Sequence, residues 1–296
     1  MSDARPRIGF IGLGLMGQAF TRRLVERGYQ VTGFDIVPEK VARAAEHGVV
    51  PAGSAADVTA ASDVVQICVV STEAVHDVVT GTRGVLEAAT ADKVLVDHST
   101  TVVADTRALA SRLADARGMG WVDAPVSGGP PAAASGSLAI MAGGAPRDIA
   151  RVEPVMADLA SVFTHMGPVG AGQVTKMVNQ VLVLNNYCIL AEALALAEAG
   201  GIEADKIPRA LATGHAGSNL LQAMFPRMIA RDYAPSGYAR QVLKDLDMVH
   251  DLAKGLKVPT PMSSQAASLY RILVSKGHSE LDGTAVLKLF DGADSV

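Results

Sequence analysis

The stretch Arg7-Ile8-Gly9-Phe10-Ile11-Gly12-Leu13-Gly14-Leu15-Met16-Gly17 decides the fold of this chain. An apolar run, Arg7–Ile11, reads as a buried strand. Three glycines follow in the pattern G-x-G-x-x-G, and Met16–Arg27 then reads as a helix that Gly28 stops. Three glycines alone are a weak signal in a chain that holds 29 of them. Here a strand precedes them, a helix follows, and Asp35 ends the next strand, Gln30–Asp35, which together make the dinucleotide-binding fingerprint. In that fingerprint Gly12 permits a tight turn, Gly14 lets the backbone approach a pyrophosphate, and Gly17 lets the helix pack close to its strand. The helix N-terminus offers N–H groups to the phosphates. The backbone of Gly12, Leu13, Gly14, Leu15, Met16 and Gly17 is therefore the expected cofactor cradle.

Asp35 carries the choice of cofactor. A carboxylate there accepts hydrogen bonds from the ribose 2′-hydroxyl of NAD and repels a 2′-phosphate. Ile36, Val37 and Pro38 bring no arginine to neutralise one. NAD is the expected cofactor, with NADP possible should Lys40 or Arg43 turn inward.

Moving outward, further β-rich runs occur at Val64–Val70, Val94–Asp97, Trp121–Ala124, Leu138–Ala142 and Val162–His165, with Ala-rich helical stretches such as Thr101–Ala116 between most of them. Strands spaced by helices imply crossovers and a mostly parallel, doubly wound sheet, the Rossmann arrangement. Beyond about residue 166 the strand signal stops. Gly167, Gly170 and Gly172 read as a flexible joint. A long apolar helix, Gln173–Ala199, reads as the buried spine of an all-helical region. Shorter helical stretches follow at Asp205–Ala212, Leu220–Ile229, Ala239–Lys254, Pro261–Lys276 and Thr284–Phe290. The expectation is an α/β fold in two domains: 1–166, binding the dinucleotide, and 167–296, all-α and built on a long central helix, serving substrate binding and oligomerisation.

Composition narrows the function classes. The chain has 296 residues, a net charge of −4 and no long basic run, so no nucleic-acid stripe is supported. Polar residues from Lys176 to Glu192 interrupt the most apolar segment, so it reads as a core helix and no membrane association is expected. Cys68 and Cys188 sit in apolar surroundings and read as buried thiols. No metal-ligand spacing is visible. The N-terminus lacks a signal-peptide core, and a cytoplasmic location is the default. With so many apolar helices in the second half, a homodimer or homotetramer is expected.

Three later segments join the glycine loop: Asp123-Ala124-Pro125-Val126-Ser127-Gly128-Gly129, Gly170-Ala171-Gly172-Gln173-Val174-Thr175-Lys176-Met177-Val178-Asn179-Gln180, and Leu243-Lys244-Asp245-Leu246. Their order and spacing resemble the β-hydroxyacid dehydrogenase family, which includes 3-hydroxyisobutyrate dehydrogenase and tartronate semialdehyde (2-hydroxy-3-oxopropionate) reductase. The resemblance covers essentially the whole chain. It implies hydride transfer between a nicotinamide cofactor and a small β-hydroxy acid, with Lys176 as the catalytic lysine. It implies that Ser127, Gly128 and Gly129 hold the substrate carboxylate and that Asn179 and Gln180 orient the substrate. It also implies that Lys244 lies near the nicotinamide end of the cofactor, that Thr100 lines the nicotinamide pocket, and that Val69 and Val70 lie over the adenosine side. The family often has Asn-Asn where this chain has Asn179-Gln180. The longer amide, together with Ala216-Gly217-Ser218, resembles the tartronate semialdehyde reductase branch.

Physical grounds point the same way. Lys176, Asn179 and Gln180 at i, i+3 and i+4 share a helix face. A lysine early in an apolar helix is costly unless it meets water, a partner or a ligand, and burial favours the neutral amine that can accept a proton. His98 reads as a bystander beside Thr100. His215, Ser218 and Asn219 form a turn that could reach substrate, and Asp245 reads as a capping or pairing group. The competing readings are a nicotinamide-binding protein without turnover and an imine reductase of the same architecture, in both of which the lysine would be missing. A 6-phosphogluconate dehydrogenase would need a longer helical domain and more basic residues.

Overall fold

The computed structural model describes residues 5–291, which fall into two compact units divided between Lys176 and Met177.

Among the described residues of the first unit nine strands form one sheet. They are β1 (Ile8–Ile11), β2 (Val31–Phe34), β3 (Val50–Pro51), β4 (Val64–Ile67), β5 (Val94–Asp97), β6 (Gly120–Asp123), β7 (Val126–Ser127), β8 (Leu138–Gly144) and β9 (Ala160–Gly167). The order is β3-β2-β1-β4-β5-β6-β8-β7, with β9 also paired to β8. From β3 to β6 every pairing is parallel, with Ile8 level with Val31 on one side and Val64 on the other. β8 runs antiparallel to β6 and β7. Every residue of β1, β4, β5 and β6 is buried, as expected of strands covered on both faces. Ile8, Phe10, Val64, Val94 and Val122 belong to the core on one face, with Phe20 and Leu24 of the first helix. Ile11, Val65, Ile67, Leu95 and Trp121 belong to the core on the other, with Leu113.

All seven expected strands are present, with ends shifted by a few residues. The sequence pattern misses β3 and β7, each two residues long and too short to show a period.

The stretch expected to be a flexible joint is the opposite. The amides of Gly170 and Gln173 donate to the buried Asp123 carboxylate at 2.7 and 2.9 Å. A Cβ on Gly172 would lie 2.5 Å from the carbonyls of both Asp123 and Met141. At Gly172 the absence of a side chain is what permits this close packing.

The spine helix runs Ala171–Ala199, on the order of 40 Å at about 1.5 Å per residue. Among the described residues it is the one helix long and apolar enough to cross a membrane by length and composition. Within the second unit, Leu184, Cys188, Ala191 and Leu194 of this helix pack with Phe225, Leu246, Tyr270 and Val286. It is not buried all round, however: Val178, Leu182, Ile189 and Leu196 are exposed. The helices Asn219–Ile229, Ala239–Leu256 and Pro261–Ser275 complete the packing. The final helical stretch, expected at Thr284–Phe290, is a 3₁₀ helix, Gly283–Leu289, started by the Asp282 side chain.

Candidate functional site

The glycine loop leaves β1 with Gly12 at φ +94°, where an L side chain is strained. A Cβ there would also meet the Cys68 carbonyl at 2.3 Å and the Val69 side chain at 2.8 Å. Position 12 thus sets the loop against the end of β4. A Cβ on Gly17 would lie 2.0 Å from the Gly12 carbonyl, so the helix can approach only without a side chain. Around Gly14 a Cβ would meet nothing within 4 Å. Gly14 precedes the helix Leu15–Glu26, which no side chain caps. An open backbone at an uncapped helix start suits a dinucleotide pyrophosphate, so these residues fit the cofactor.

Asp35, just beyond β2, turns its carboxylate back to this loop. Oδ2 accepts the Leu13 N–H at 2.7 Å and Oδ1 accepts the Val37 N–H at 2.9 Å. The Lys40 ammonium stands 3.6 Å from Oδ1. The Gln18 amide donates to the carbonyls of Leu13 and Lys40 at 3.0 and 2.7 Å, which fixes the Leu13 peptide from its other end. Asp35 and the loop are therefore brought together, as their motif requires.

Thr100 follows β5 and is partly exposed between two buried neighbours, Ser99 and Thr101. Besides the contact of the Thr101 and Thr106 hydroxyls at 2.8 Å, four contacts hold those neighbours. Ser99 N donates to Asp97 Oδ1 at 2.9 Å, and Ser99 Oγ accepts the Val69 amide at 3.0 Å. The fully buried Gln173 supplies the other two. Its Oε1 accepts the Thr101 amide at 3.1 Å, and its Nε2 donates to the Ser99 carbonyl at 2.8 Å. The sequence reading gave Gln173, Ser99 and Asp123 no role. The one available signal was a glutamine in the first turn of an apolar helix, where a polar side chain must find partners.

Lys176 is buried, and its Nζ donates to the Val126 carbonyl at 2.8 Å. That carbonyl immediately precedes Ser127, Gly128 and Gly129. Gly128 and Gly129 both have positive φ, at +126° and +69°, and open the short helix Gly129–Ser135. The lysine and the expected carboxylate turn are thus adjacent within the first unit.

Two carboxylates lie level on neighbouring strands beneath these loops, Asp97 on β5 and Asp123 on β6. Burial pushes Asp97 up to about 7, against hydrogen bonds from Ser99 that pull it down. Burial likewise pushes Asp123 up to about 6, against the amides of Gly170, Gly172 and Gln173, which pull it down. His98 is buried, stacks on Phe20 at 4.8 Å and is held by burial down to about 4, hence neutral. Its Nδ1 lies 2.8 Å from the Ala124 carbonyl and its Nε2 lies 3.0 Å from the Gln66 amide. A neutral ring donating to Ala124 must accept from Gln66, which assigns the amide nitrogen to that contact. His98 is thus a core residue with both ring nitrogens engaged.

In the second unit a polar chain runs through four expected residues or their neighbours. Asn179 Nδ2 donates to Gln180 Oε1 at 2.8 Å, Gln180 Nε2 donates to Asp245 Oδ2 at 2.5 Å, and the Lys244 ammonium pairs with Asp245 Oδ1 at 3.1 Å. Gln180 and Asp245 are buried, while Asn179 is partly exposed. The Gln180 amide is engaged at both ends, which leaves Asn179 as the exposed member of the pair. Ser218 caps the helix Asn219–Ile229 by accepting the Leu221 amide at 3.0 Å, a structural duty in the turn expected to reach substrate. Both cysteines are free thiols that burial pushes up to about 12; Cys188 is a buried core group as expected, whereas Cys68 is partly exposed at the end of β4. No cluster of metal-ligating side chains occurs among the described residues.

Comparison with known proteins gives a consistent result. A model of the NAD binding domain of 6-phosphogluconate dehydrogenase matches residues 7–167. A model described as NAD-binding of NADP-dependent 3-hydroxyisobutyrate dehydrogenase matches residues 170–290. The chain is 33% identical to the L-threonate dehydrogenase of Cupriavidus necator, over 97% of each chain. It is also 33% identical to the 2-hydroxy-3-oxopropionate reductase of Escherichia coli, over 96% of this chain and 97% of that one. Among solved structures, the Mycobacterium tuberculosis 3-hydroxyisobutyrate dehydrogenase with L-serine superimposes with a TM-score of 0.86 at 32% identity, over 98% of this chain and 100% of that one. With a dinucleotide-binding sheet, an open glycine loop and end-to-end similarity to these enzymes, the chain belongs to the 3-hydroxyisobutyrate dehydrogenase family of nicotinamide-dependent hydroxyacid oxidoreductases.

Proposed function

We propose that the protein interconverts a small β-hydroxy acid and its carbonyl form with NAD as the preferred cofactor, Lys176 handling the proton. The observation that carries this reading is the position of Lys176 Nζ, 2.8 Å from the carbonyl that leads into the Ser127–Gly129 turn. A buried lysine beside a turn with two positive-φ glycines supports a reading in which the turn holds the substrate's carboxylate and the lysine meets its hydroxyl.

When bound, the nicotinamide supplies the hydride donor or acceptor. The protein's part is binding, orientation and proton transfer. The backbone N–H groups and hydroxyl of Ser127, Gly128 and Gly129 hold the carboxylate. In the oxidative direction the neutral Lys176 amine takes the proton of the substrate hydroxyl. In the reductive direction its ammonium gives that proton to the developing alkoxide and stabilises the charge. Asn179 orients the substrate, and Gln180 acts through Asn179. Thr100 walls the nicotinamide side, Val69 and Val70 cover the adenosine side, and Lys244 serves the nicotinamide end. Asp35 supports the preference for NAD, because its carboxylate stands at the glycine loop, 2.7 Å from the Leu13 amide, where it would repel a 2′-phosphate; Lys40, 3.6 Å from the same carboxylate, is the group that would favour NADP.

The test is a substrate panel with each of NAD and NADP: 3-hydroxyisobutyrate, glycerate with tartronate semialdehyde, threonate, 3-hydroxypropionate and a sulfonated analogue. Turnover of at least one carboxylate substrate, faster with NAD, is expected. Equal or better use of NADP would end the cofactor claim, and no turnover of any hydroxy acid would end the functional one. We propose also that a second copy of the chain covers the exposed stripe Val178, Leu182, Ile189 and Leu196, giving a homodimer or homotetramer; light scattering that finds only monomer would contradict this.

A further inference from the structure

We infer that Gln173 is a positioning residue for hydride transfer: its amide brackets Thr100 and fixes the nicotinamide wall to the same helical turn that carries Lys176. This rests on the roles proposed above for Thr100 and Lys176.

The geometry is specific. Gln173 is completely buried, and its two amide ends bond to two backbone groups one residue apart on either side of Thr100. Oε1 accepts from Thr101 N at 3.1 Å and Nε2 donates to Ser99 O at 2.8 Å. The side chain thus does for the loop what a neighbouring peptide group does in a sheet ladder. A glutamine is suited to this duty because it carries one donor and one acceptor on a rigid plane. Its own backbone is fixed too, since Gln173 N donates to Asp123 Oδ2 at 2.9 Å. Lys176 lies three residues further on, which puts it on the same helix face. The Ser99 hydroxyl extends the bracket to the Val69 amide at 3.0 Å. One amide therefore sets the loop after β5, directly, and the loop after β4, through Ser99, relative to the proton-transferring group.

Such a bracket matters because hydride transfer is steep in distance. A misplacement of about 1 Å can cost on the order of 100-fold in rate without loss of binding. Removing the bracket should therefore act on kcat and spare cofactor affinity.

The test compares Gln173→Leu and Gln173→Glu with the unaltered protein, in its preferred substrate and with NADH deuterated at the transferred position. For Gln173→Leu, kcat should fall about 10- to 100-fold. The dissociation constant for NADH, read by fluorescence, should change by less than about 3-fold, and the deuterium isotope effect on kcat should rise. Gln173→Glu supplies the diagnostic. Its ionised carboxylate faces the Ser99 carbonyl and repels it, whereas the protonated acid restores one donor and one acceptor. Its activity relative to the unaltered protein should therefore recover as the pH is lowered. Asp97, His98, Asp123 and Lys176 are titratable groups around this position, and because both proteins share them the ratio reads position 173. If Gln173→Leu keeps kcat within about 2-fold, the inference is overturned. It is overturned equally if Gln173→Leu is unfolded and Gln173→Glu shows a ratio independent of pH. Absence of any activity in the unaltered protein would instead overturn the functional reading on which the inference rests.

Discussion

Two glutamines on the spine helix, Gln173 in the first unit and Gln180 in the second, make opposite use of the same functional group. Gln173 spends both ends of its amide on backbone, gripping a loop that lies 72 residues away in sequence. Gln180 spends both ends on side chains, Asn179 beside it and Asp245 across the unit. Backbone partners are fixed by the fold, so the first amide sets where a loop sits. Side-chain partners can rotate, so the second sets how one exposed amide, that of Asn179, is aimed. The first should therefore govern the rate of the chemical step and the second the recognition of substrate.

Breaking the two in turn separates these roles. Loss of the Gln173 bracket has the larger expected effect and falls on kcat, as set out above. Gln180→Leu should act on KM instead. With one hydrogen bond worth about 0.5–1.5 kcal/mol, KM for the hydroxy acid should rise about 3- to 10-fold, with a smaller change in kcat. If Gln180→Leu lowered kcat more than it raised KM in steady-state assays, the proposed division would be wrong.

A smaller effect, on stability, sharpens the description of the platform under Thr100. Asp97 is held at about 7 by burial, above the ordinary carboxylate value of 3.8, so the folded state keeps its proton longer than the unfolded state does. Stability from this group is present at low pH and is lost as the pH rises from about 4 to about 7. Asp123, at about 6, works in the same direction. His98 works in the opposite direction: at about 4 against an ordinary 6.5, it adds stability as the pH rises between those values. Asp97→Asn removes the first contribution and leaves the last. Thermal melts at pH 5 and pH 8 should then show the variant gaining on the unaltered protein at the higher pH. An identical pH dependence for both would show that Asp97 is ionised at little cost in the folded state.

The same contrast explains what the sequence could reveal. The glycine loop, Asp35, the strand runs and the spine helix were legible because each is encoded within a few residues, as periodicity or as glycine spacing. β7 was not, because Val126–Ser127 is two residues long and its partner strand lies beyond a helix. The joint at Gly167–Gly172 was misjudged for a related reason. Glycines that permit close packing against Asp123 look the same in sequence as glycines that confer mobility. Gln173 went unread because its partners are remote and single. A side chain that bonds to backbone across so long a separation leaves no repeating trace. Gln180 was legible as a polar residue on the Lys176 face of the helix, but nothing local showed that Asp245 would take its donor.

The central claim is that Lys176 transfers the substrate's proton, and Lys176→Ala tests it most directly. Its turnover, with NADH affinity measured by fluorescence on the same preparation, should fall by about three orders of magnitude or more, with NADH binding within about 3-fold of the unaltered protein. Turnover retained within about 10-fold, in a folded variant that still binds NADH, would contradict the account.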